Sequence, residues 1–306
     1  MTECGSQQDG TVLGAVGGTY QVRLDRGDVV DAVLRGRLKL VQRTGNGVVA
    51  GDSVQVLQQD ETYTIENVAE RRSQLARRAP GRGGRRAKVI VANIEQIVIV
   101  FAAKSPDPRW RMLDRFLVVA EANSLHALII LNKVDLLEGE AAGVLCAYES
   151  AGYAVVRTSV RTGQGMPEVR ERLCGHWSVL TGPSGVGKSS LLNALQPGLG
   201  LRVAEIGVAS RKGRHTTVSA RLIPLDCGGY VADTPGLREL GLWGIERDEL
   251  RDLFPEFRGL SDECRFGRSC SHVHEPQCAV RAAVGSGAID RERYDSYVAL
   301  REEDGG

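Results

Sequence analysis

No run of about 18 consecutive apolar residues, the length that spans a bilayer, occurs in the 306 residues. The longest candidate, 89–103, is broken by Asn93, Glu95 and Gln96. The opening MTECGSQQDG lacks the basic flank and apolar centre of a secretory leader, so a cytoplasmic protein without a membrane partner is expected. Net charge is nearly absent: 39 Lys plus Arg stand against 38 Asp plus Glu. That excludes a wholly basic nucleic-acid coat protein but not a local basic patch. Seven cysteines are an odd number, unlike a secreted disulfide framework. Three of them crowd between Cys264 and Cys278, whereas Cys4, Cys146, Cys174 and Cys227 are scattered and read as buried small apolar residues. With 42% hydrophobic and 25% charged residues, the composition excludes a disordered or collagen-like chain. The 37 glycines point to tight turns or phosphate-binding loops. At about 150 residues per domain, the length leaves room for two domains.

Texture divides the chain into three regions. Short runs at 14–18, 20–24, 29–34, 48–57 and 63–68 alternate with turn residues and show no helical period, which predicts a small β-barrel. A five-stranded oligonucleotide-binding barrel fits, with an SH3-like barrel as its competitor. From Arg71 to Lys88 there are seven arginines, one lysine and no acid, interleaved with Pro80, Gly81, Gly83 and Gly84. This segment reads either as a solvated loop or as an arm that neutralises phosphates. Next come buried-strand runs at 97–101, 128–131, 154–157, 177–180 and 230–232 and a helical period over 110–121, the alternation of an α/β parallel sheet. From about Gly244 the chain reads as mostly helical. The expected domains are 1–88, a barrel plus basic linker; 89–243, an α/β domain; and 244–306, a helical domain.

GPSGVGKSS at 182–190 matches G-x-x-x-x-G-K-[ST], between an apolar strand and an apolar helix. Its glycines let backbone N–H groups turn toward phosphate oxygens, and the helix start adds favourable partial charge. Gly182, Pro183, Ser184, Gly185, Val186, Gly187, Lys188, Ser189 and Ser190 form the expected cradle, with Lys188 on the β/γ-phosphates and Ser189 on Mg²⁺. DTPG at 233–236 supplies Asp233 for the metal side and the Gly236 N–H for a γ-phosphate. In the intervening GRHTT at 213–217, Thr216 or Thr217 is a candidate Mg²⁺ ligand. NKVD comprises Asn132, Lys133, Val134 and Asp135. The Asp135 carboxylate can accept both N1–H and the 2-amino group of guanine, a donor pair that adenine lacks. Asn132 can bond the other edge of the base, and the Lys133 stem can pack on its face. Backbone groups around Ser159 and Val160, in RTSVRTG, can reach O6. In ordinary small GTPases the phosphate loop comes first and the base-reading motifs last. Here NKVD and TSV precede the phosphate loop, so the motif order predicts a circularly permuted GTPase domain whose loops still meet at the carboxyl ends of one sheet.

Cys264, Cys270, His272 and Cys278 form C-x₅-C-x-H-x₅-C, a donor set for one structural Zn²⁺, with His274 competing for the imidazole position. A helix is expected over 290–302, with Tyr294, Tyr297 and Val298 on a face that packs inward.

NKVD, TSV, GPSGVGKSS, GRHTT and DTPG in this order, followed by CRFGRSCSHVHEPQC, resemble the bacterial small ribosomal subunit biogenesis GTPases, also called ribosome small-subunit-dependent GTPase A. The resemblance covers almost the whole chain and includes AKVIVANIEQIVIVFA at 87–102. It implies an N-terminal OB-fold, a permuted P-loop GTPase domain and a C-terminal zinc domain. It also implies slow GTP hydrolysis to GDP stimulated by the small subunit, and a late role in that subunit's maturation. The family's zinc ligands match Cys264, Cys270, His272 and Cys278, which favours His272 over His274. Its nucleotide sites match 132–135 and 182–190. Leu237 follows DTPG where many GTPases carry a water-orienting glutamine, and leucine cannot polarise water. His215 is the candidate replacement, against the reading of a solvated loop residue, and Thr217 joins the expected nucleotide contacts. The expected partners are GTP, GDP, the small subunit and its rRNA, with the protein acting as a monomer. Two rival readings are a permuted GTPase of the large subunit and a nucleotide-switched RNA-binding factor without turnover.

Overall fold

A computed structural model describes residues 6–38, 47–78, 87–137, 142–199, 220–233 and 245–303. Five strands, β1 (Ser6–Val16), β2 (Thr19–Leu24), β3 (Val29–Leu34), β4 (Ser53–Gln59) and β5 (Thr62–Val68), close a barrel in the order β1-β2-β3-β5-β4. All neighbours are antiparallel except β3 and β5. This is the five-stranded oligonucleotide-binding arrangement. Val12, Tyr20, Val22, Leu24, Val56 and Ile65 fill its interior, as period-2 alternation requires. The first strand is longer than its sequence run suggested, and residues 17–18 are a glycine turn to β2 with φ of 61° and 91°. The register of β1 slips between Val12 and Gly14. The bulged residue, Leu13, leaves the barrel core and packs with Ala220 and Leu222 of the neighbouring sheet.

Residues 79–86 of the Arg-rich segment lie outside the described residues, but its two ends are built into the fold. β6 (Gln74–Arg78) and β7 (Ala87–Ala92) pair as an antiparallel ribbon, and Leu75 and Val91 are fully buried. Arg71, the first arginine of the run, is an internal strut. Its guanidinium donates to both carboxylate oxygens of the fully buried Asp52 at 2.7 and 2.9 Å, and to the Gly47 carbonyl at 2.8 Å.

The central sheet has the order β10-β9-β8-β11-β13-β12. Its strands are β8 (Gln96–Ala102), β9 (His126–Asn132), β10 (Ala154–Arg157), β11 (Trp177–Thr181), β12 (Arg221–Pro224) and β13 (Tyr230–Asp233), parallel except for β12. The short edge strand β12 carries no clear sequence signal. On β8, Ile97, Ile99 and Phe101 face one core with α1 (Trp110–Ala122) and α2 (Ala142–Ser150). Val98, Val100 and Ala102 face the other, with α3 (Met166–Leu173) and α4 (Lys188–Leu195). Burial on both faces explains the unbroken apolar runs. The chain leaves β8 for β9 and β10, then returns to place β11 against the other side of β8. That reversal is a topological switch point, where open α/β sheets bind ligands.

The C-terminal region combines short 3₁₀ turns with α5 (Ala279–Ser286) and α6 (Arg291–Glu302) around Phe254, Phe257 and Tyr297. Tyr294 and Tyr297 turn inward, donating to the carbonyls of His272 and Ser271 at 2.8 and 2.7 Å. Cys174 and Cys227 form a disulfide between the end of α3 and the β12–β13 turn, and Cys146 is exposed. This corrects the reading of all three as buried apolar residues. The disulfide partners lie 53 residues apart, so only the sheet order brings them together. Cys4 lies outside the described residues. Among the described residues, no helix is long and apolar enough to cross a membrane.

Candidate functional site: a phosphate and base pocket with a separate thiolate cluster

Three loops converge at the carboxyl ends of β9, β10 and β11. The loop after β11 begins at Gly182 with φ of 132°, where an added Cβ would lie 2.0 Å from the Val100 carbonyl oxygen. It ends at Gly187 with φ of 98°, where a Cβ would lie 2.4 Å from Asn132 Nδ2. Both positions demand glycine on conformation and on space. Gly187 caps α4, whose first residues, Lys188 and Ser189, are buried. Lys188 Nζ donates to the carbonyls of Gly182 and Pro183 at 2.7 and 2.5 Å, so its charge sits inside the curl of the loop.

The NKVD side chains join this loop to its neighbours. Asn132 Nδ2 donates to the Val186 carbonyl at 2.9 Å, and Asn132 Oδ1 accepts from the Thr158 hydroxyl at 3.2 Å. Lys133 adopts φ of 62° and donates through Nζ to the Gly185 carbonyl at 2.7 Å and to the Ser105 carbonyl. The Val134 N–H donates to the Thr158 carbonyl at 3.1 Å. These bonds hold the phosphate loop, NKVD and TSV as one unit. Asp135 Oδ1 accepts from the buried Ser159 hydroxyl at 2.5 Å, and Oδ2 accepts from Arg161 Nε at 2.8 Å. The Ser159 bond does most to hold the Asp135 carboxyl below its ordinary range; desolvation opposes it and Arg161 assists. An ionised, aimed carboxylate is the group that guanine recognition requires.

Asp233 ends β13, level with Leu180 of β11. His215, Thr216, Thr217, Gly236 and Leu237 lie outside the described residues.

A second site lies in the C-terminal region. Cys264, Cys270, His272 and Cys278 are buried, their ligand atoms all lie within 4.8 Å of one another, and together they can hold a metal ion. Cys264 Sγ lies 3.8 Å from Cys278 Sγ and 3.6 Å from His272 Nδ1, which is 3.4 Å from Cys278 Sγ. His274 is outside this group and exposed. The Ala279 N–H donates to Cys264 Sγ and the Arg281 N–H to Cys278 Sγ, at 3.3 and 3.5 Å, the outer hydrogen bonds typical of ligating thiolates. Glu275 ties the loop that presents His272. Its carboxylate accepts N–H groups from Ser271, Val273 and His274 at 2.7, 3.2 and 3.2 Å. Burial opposes ionisation there, yet these bonds hold the group at about 2. The structural roles of Thr158, Arg161 and Glu275 escape motif matching, because each depends on a loop distant in sequence or on a backbone turn.

A barrel of oligonucleotide-binding type beside a sheet whose base-reading strands precede its phosphate loop defines a circularly permuted P-loop GTPase. The RsgA GTPase family model matches residues 68–243. A relative from Gemmatimonas aurantiaca, the small ribosomal subunit biogenesis GTPase RsgA, is 50% identical over 298 residues, covering 96% of each chain. Its counterpart of the same name from Moorella thermoacetica is 42% identical, covering 96% of this chain and 97% of that one. Among solved structures, YjeQ from Thermotoga maritima superposes with a TM-score of 0.78 at 35% identity, covering 97% of this chain and 98% of the other. YloQ, described as a circularly permuted GTPase, gives 0.75 at 31%, covering 99% and 96%. The chain belongs to the RsgA GTPase family and is a GTP-hydrolysing enzyme.

Proposed function

We propose that this GTPase acts in late maturation of the small ribosomal subunit, and that the subunit stimulates its turnover. The observation carrying the nucleotide half of this reading is the single hydrogen-bonded unit that Asn132, Lys133 and Thr158 make of three loops at the β8/β11 switch point. The role named for the relatives supports the ribosomal half.

Asp135 selects guanine through its two carboxylate oxygens. The backbone of 182–190 and the Lys188 ammonium hold the phosphates and offset charge that develops as the γ-phosphate leaves. Ser189 and Asp233 would hold Mg²⁺, which supplies further neutralisation of phosphate charge. Water is the nucleophile, and His215 orients it, since Leu237 cannot. The thiolate cluster suits Zn²⁺. A tetrahedral centre with zinc–sulfur bonds of about 2.3 Å has sulfur–sulfur edges of about 3.8 Å, and the Cys264–Cys278 separation is 3.8 Å. Three thiolates and an imidazole complete four-coordination, so the metal would be structural. The barrel and the arginines after Arg71 contact rRNA phosphates. Arg71 itself is committed to Asp52.

GTP turnover by the purified protein, measured alone and with isolated small or large subunits, tests the proposal. Stimulation confined to the small subunit is expected. Stimulation by the large subunit alone would assign the wrong particle, and no stimulation by either would leave a nucleotide-switched RNA-binding factor.

A further inference from the structure

The Asp135 carboxylate has two side-chain donors, one on each oxygen. Ser159 is fully buried and holds Asp135 Oδ1 from within. The Arg161 side chain is 75% exposed against 11% for Asp135, so its guanidinium covers the solvent side of Oδ2. A base that donates to both carboxylate oxygens must also use Oδ2, the oxygen that Arg161 holds. The turn presenting Arg161 is closed by bonds from the Gly163 N–H to the Ser159 carbonyl at 2.8 Å and from the Ser159 N–H to the Gln164 carbonyl at 3.0 Å. The Thr162 N–H donates to the Ser159 hydroxyl at 3.2 Å. Arginine offers N–H donors in a flat fork. The N1–H and 2-amino group of guanine are likewise flat, adjacent N–H donors, and they need the same acceptor edge.

We propose that Arg161 is an internal competitor of guanine for Asp135, a specificity-determining residue that must release Oδ2 before the base can donate both of its hydrogens. A ligand that returns two donors replaces what the carboxylate loses, and a base with none leaves the ion pair broken without compensation. The effect of Arg161 therefore falls on nucleotide entry. The inference rests on the reading of Asp135 as the guanine acceptor.

Stopped-flow binding of a fluorescent GDP analogue with Mg²⁺, using the full chain, tests it. Arg161→Ala is expected to associate faster and to bind about two- to fivefold tighter, because exposed ion pairs contribute little, with the dissociation rate unchanged. The gain fades as salt is raised. Arg161→Lys, which keeps a cation without the fork, falls between the two. In an Asp135→Asn background, assayed with a fluorescent xanthosine diphosphate, Arg161→Ala brings no gain, since a neutral amide holds no ion pair. Unchanged or weaker affinity in Arg161→Ala, or faster dissociation, overturns the proposal; faster dissociation would make Arg161 a clamp on the bound base. The underlying reading fails separately, if Asp135→Asn still prefers guanine to xanthine.

Discussion

Arg293 of α6 and Asp114 of α1 meet in a buried ion pair between the C-terminal region and the nucleotide-binding sheet, Nη1 to Oδ1 at 2.5 Å. The two side chains are 3% and 2% exposed. Glu256 completes the pairing through Arg293 Nε and Nη2 at 2.8 and 2.7 Å. Tyr148 donates to Asp114 at 2.9 Å, and the guanidinium lies 4.7 Å from the Phe254 ring centre and 5.1 Å from that of Tyr148. The α1 helix follows the Ser105 loop, whose carbonyl holds Lys133, so this contact anchors the helix that leads away from the pocket.

Removing one partner strands the other in a dry site. Arg293→Ala is expected to cost about 3–5 kcal/mol, read as a lower urea midpoint. The double variant Arg293→Met, Asp114→Leu loses less, because the fully enclosed Asp114 charge is gone and only Glu256, whose side chain is 12% exposed, is left without its partner. A cost below about 1 kcal/mol in the single variant would refute the role given to the pair.

Gly187→Ala tests the phosphate loop. A methyl group there would meet Asn132 Nδ2 at 2.4 Å while also straining a φ of 98°. Left-handed backbone at a non-glycine residue costs about 1–3 kcal/mol, so GDP affinity should fall roughly 10- to 100-fold. Isothermal titration calorimetry on a variant with unchanged circular dichroism gives the answer, and wild-type affinity would contradict the geometry.

The pH dependence of base recognition follows from Ser159. Because its hydroxyl lowers the Asp135 carboxyl in the folded protein, the ionised form survives as pH falls through the ordinary carboxylate range. GDP affinity should persist there and decline only below it. Ser159→Ala removes the largest stabilising bond, so the decline moves to higher pH. Affinity measured down to the onset of acid unfolding checks this, and coincident profiles would exclude the role of Ser159.

Metal removal should act on the C-terminal region first. A strong chelator, or His272→Ala, is expected to abolish stoichiometric zinc and lower the melting temperature, whereas His274→Ala retains the metal. Elemental analysis by mass spectrometry separates the two variants. Loss of metal in His274→Ala would mean that the ligand set is wrong.

Much of this site is legible without coordinates because its chemistry is local. The glycines that curl the phosphate loop, the lysine at the helix start and the carboxylate of NKVD lie within a few residues of a strand end. The unbroken apolar runs of β8 and β9 likewise announce strands buried on both faces. Other features left no local trace. β12 is only four residues long. The β6–β7 ribbon buries Leu75 and Val91 although the run around Leu75 reads as arginine-rich, and the Arg293–Asp114 pair joins residues 179 apart.

The amino-acid sequence by itself determined the permuted order of motifs, the NKVD carboxylate proposed to read guanine and the four residues that can hold a metal ion, since residue type and short spacing suffice for each. Only the tertiary structure decided which partners those groups keep. Arg71 is tied to Asp52, Cys174 to Cys227, and Arg161 to Asp135 of NKVD. The physical reason is that ion pairs and disulfides form wherever sheet order brings side chains within reach, and sheet order is set by long-range strand pairing, which no local run of residues encodes.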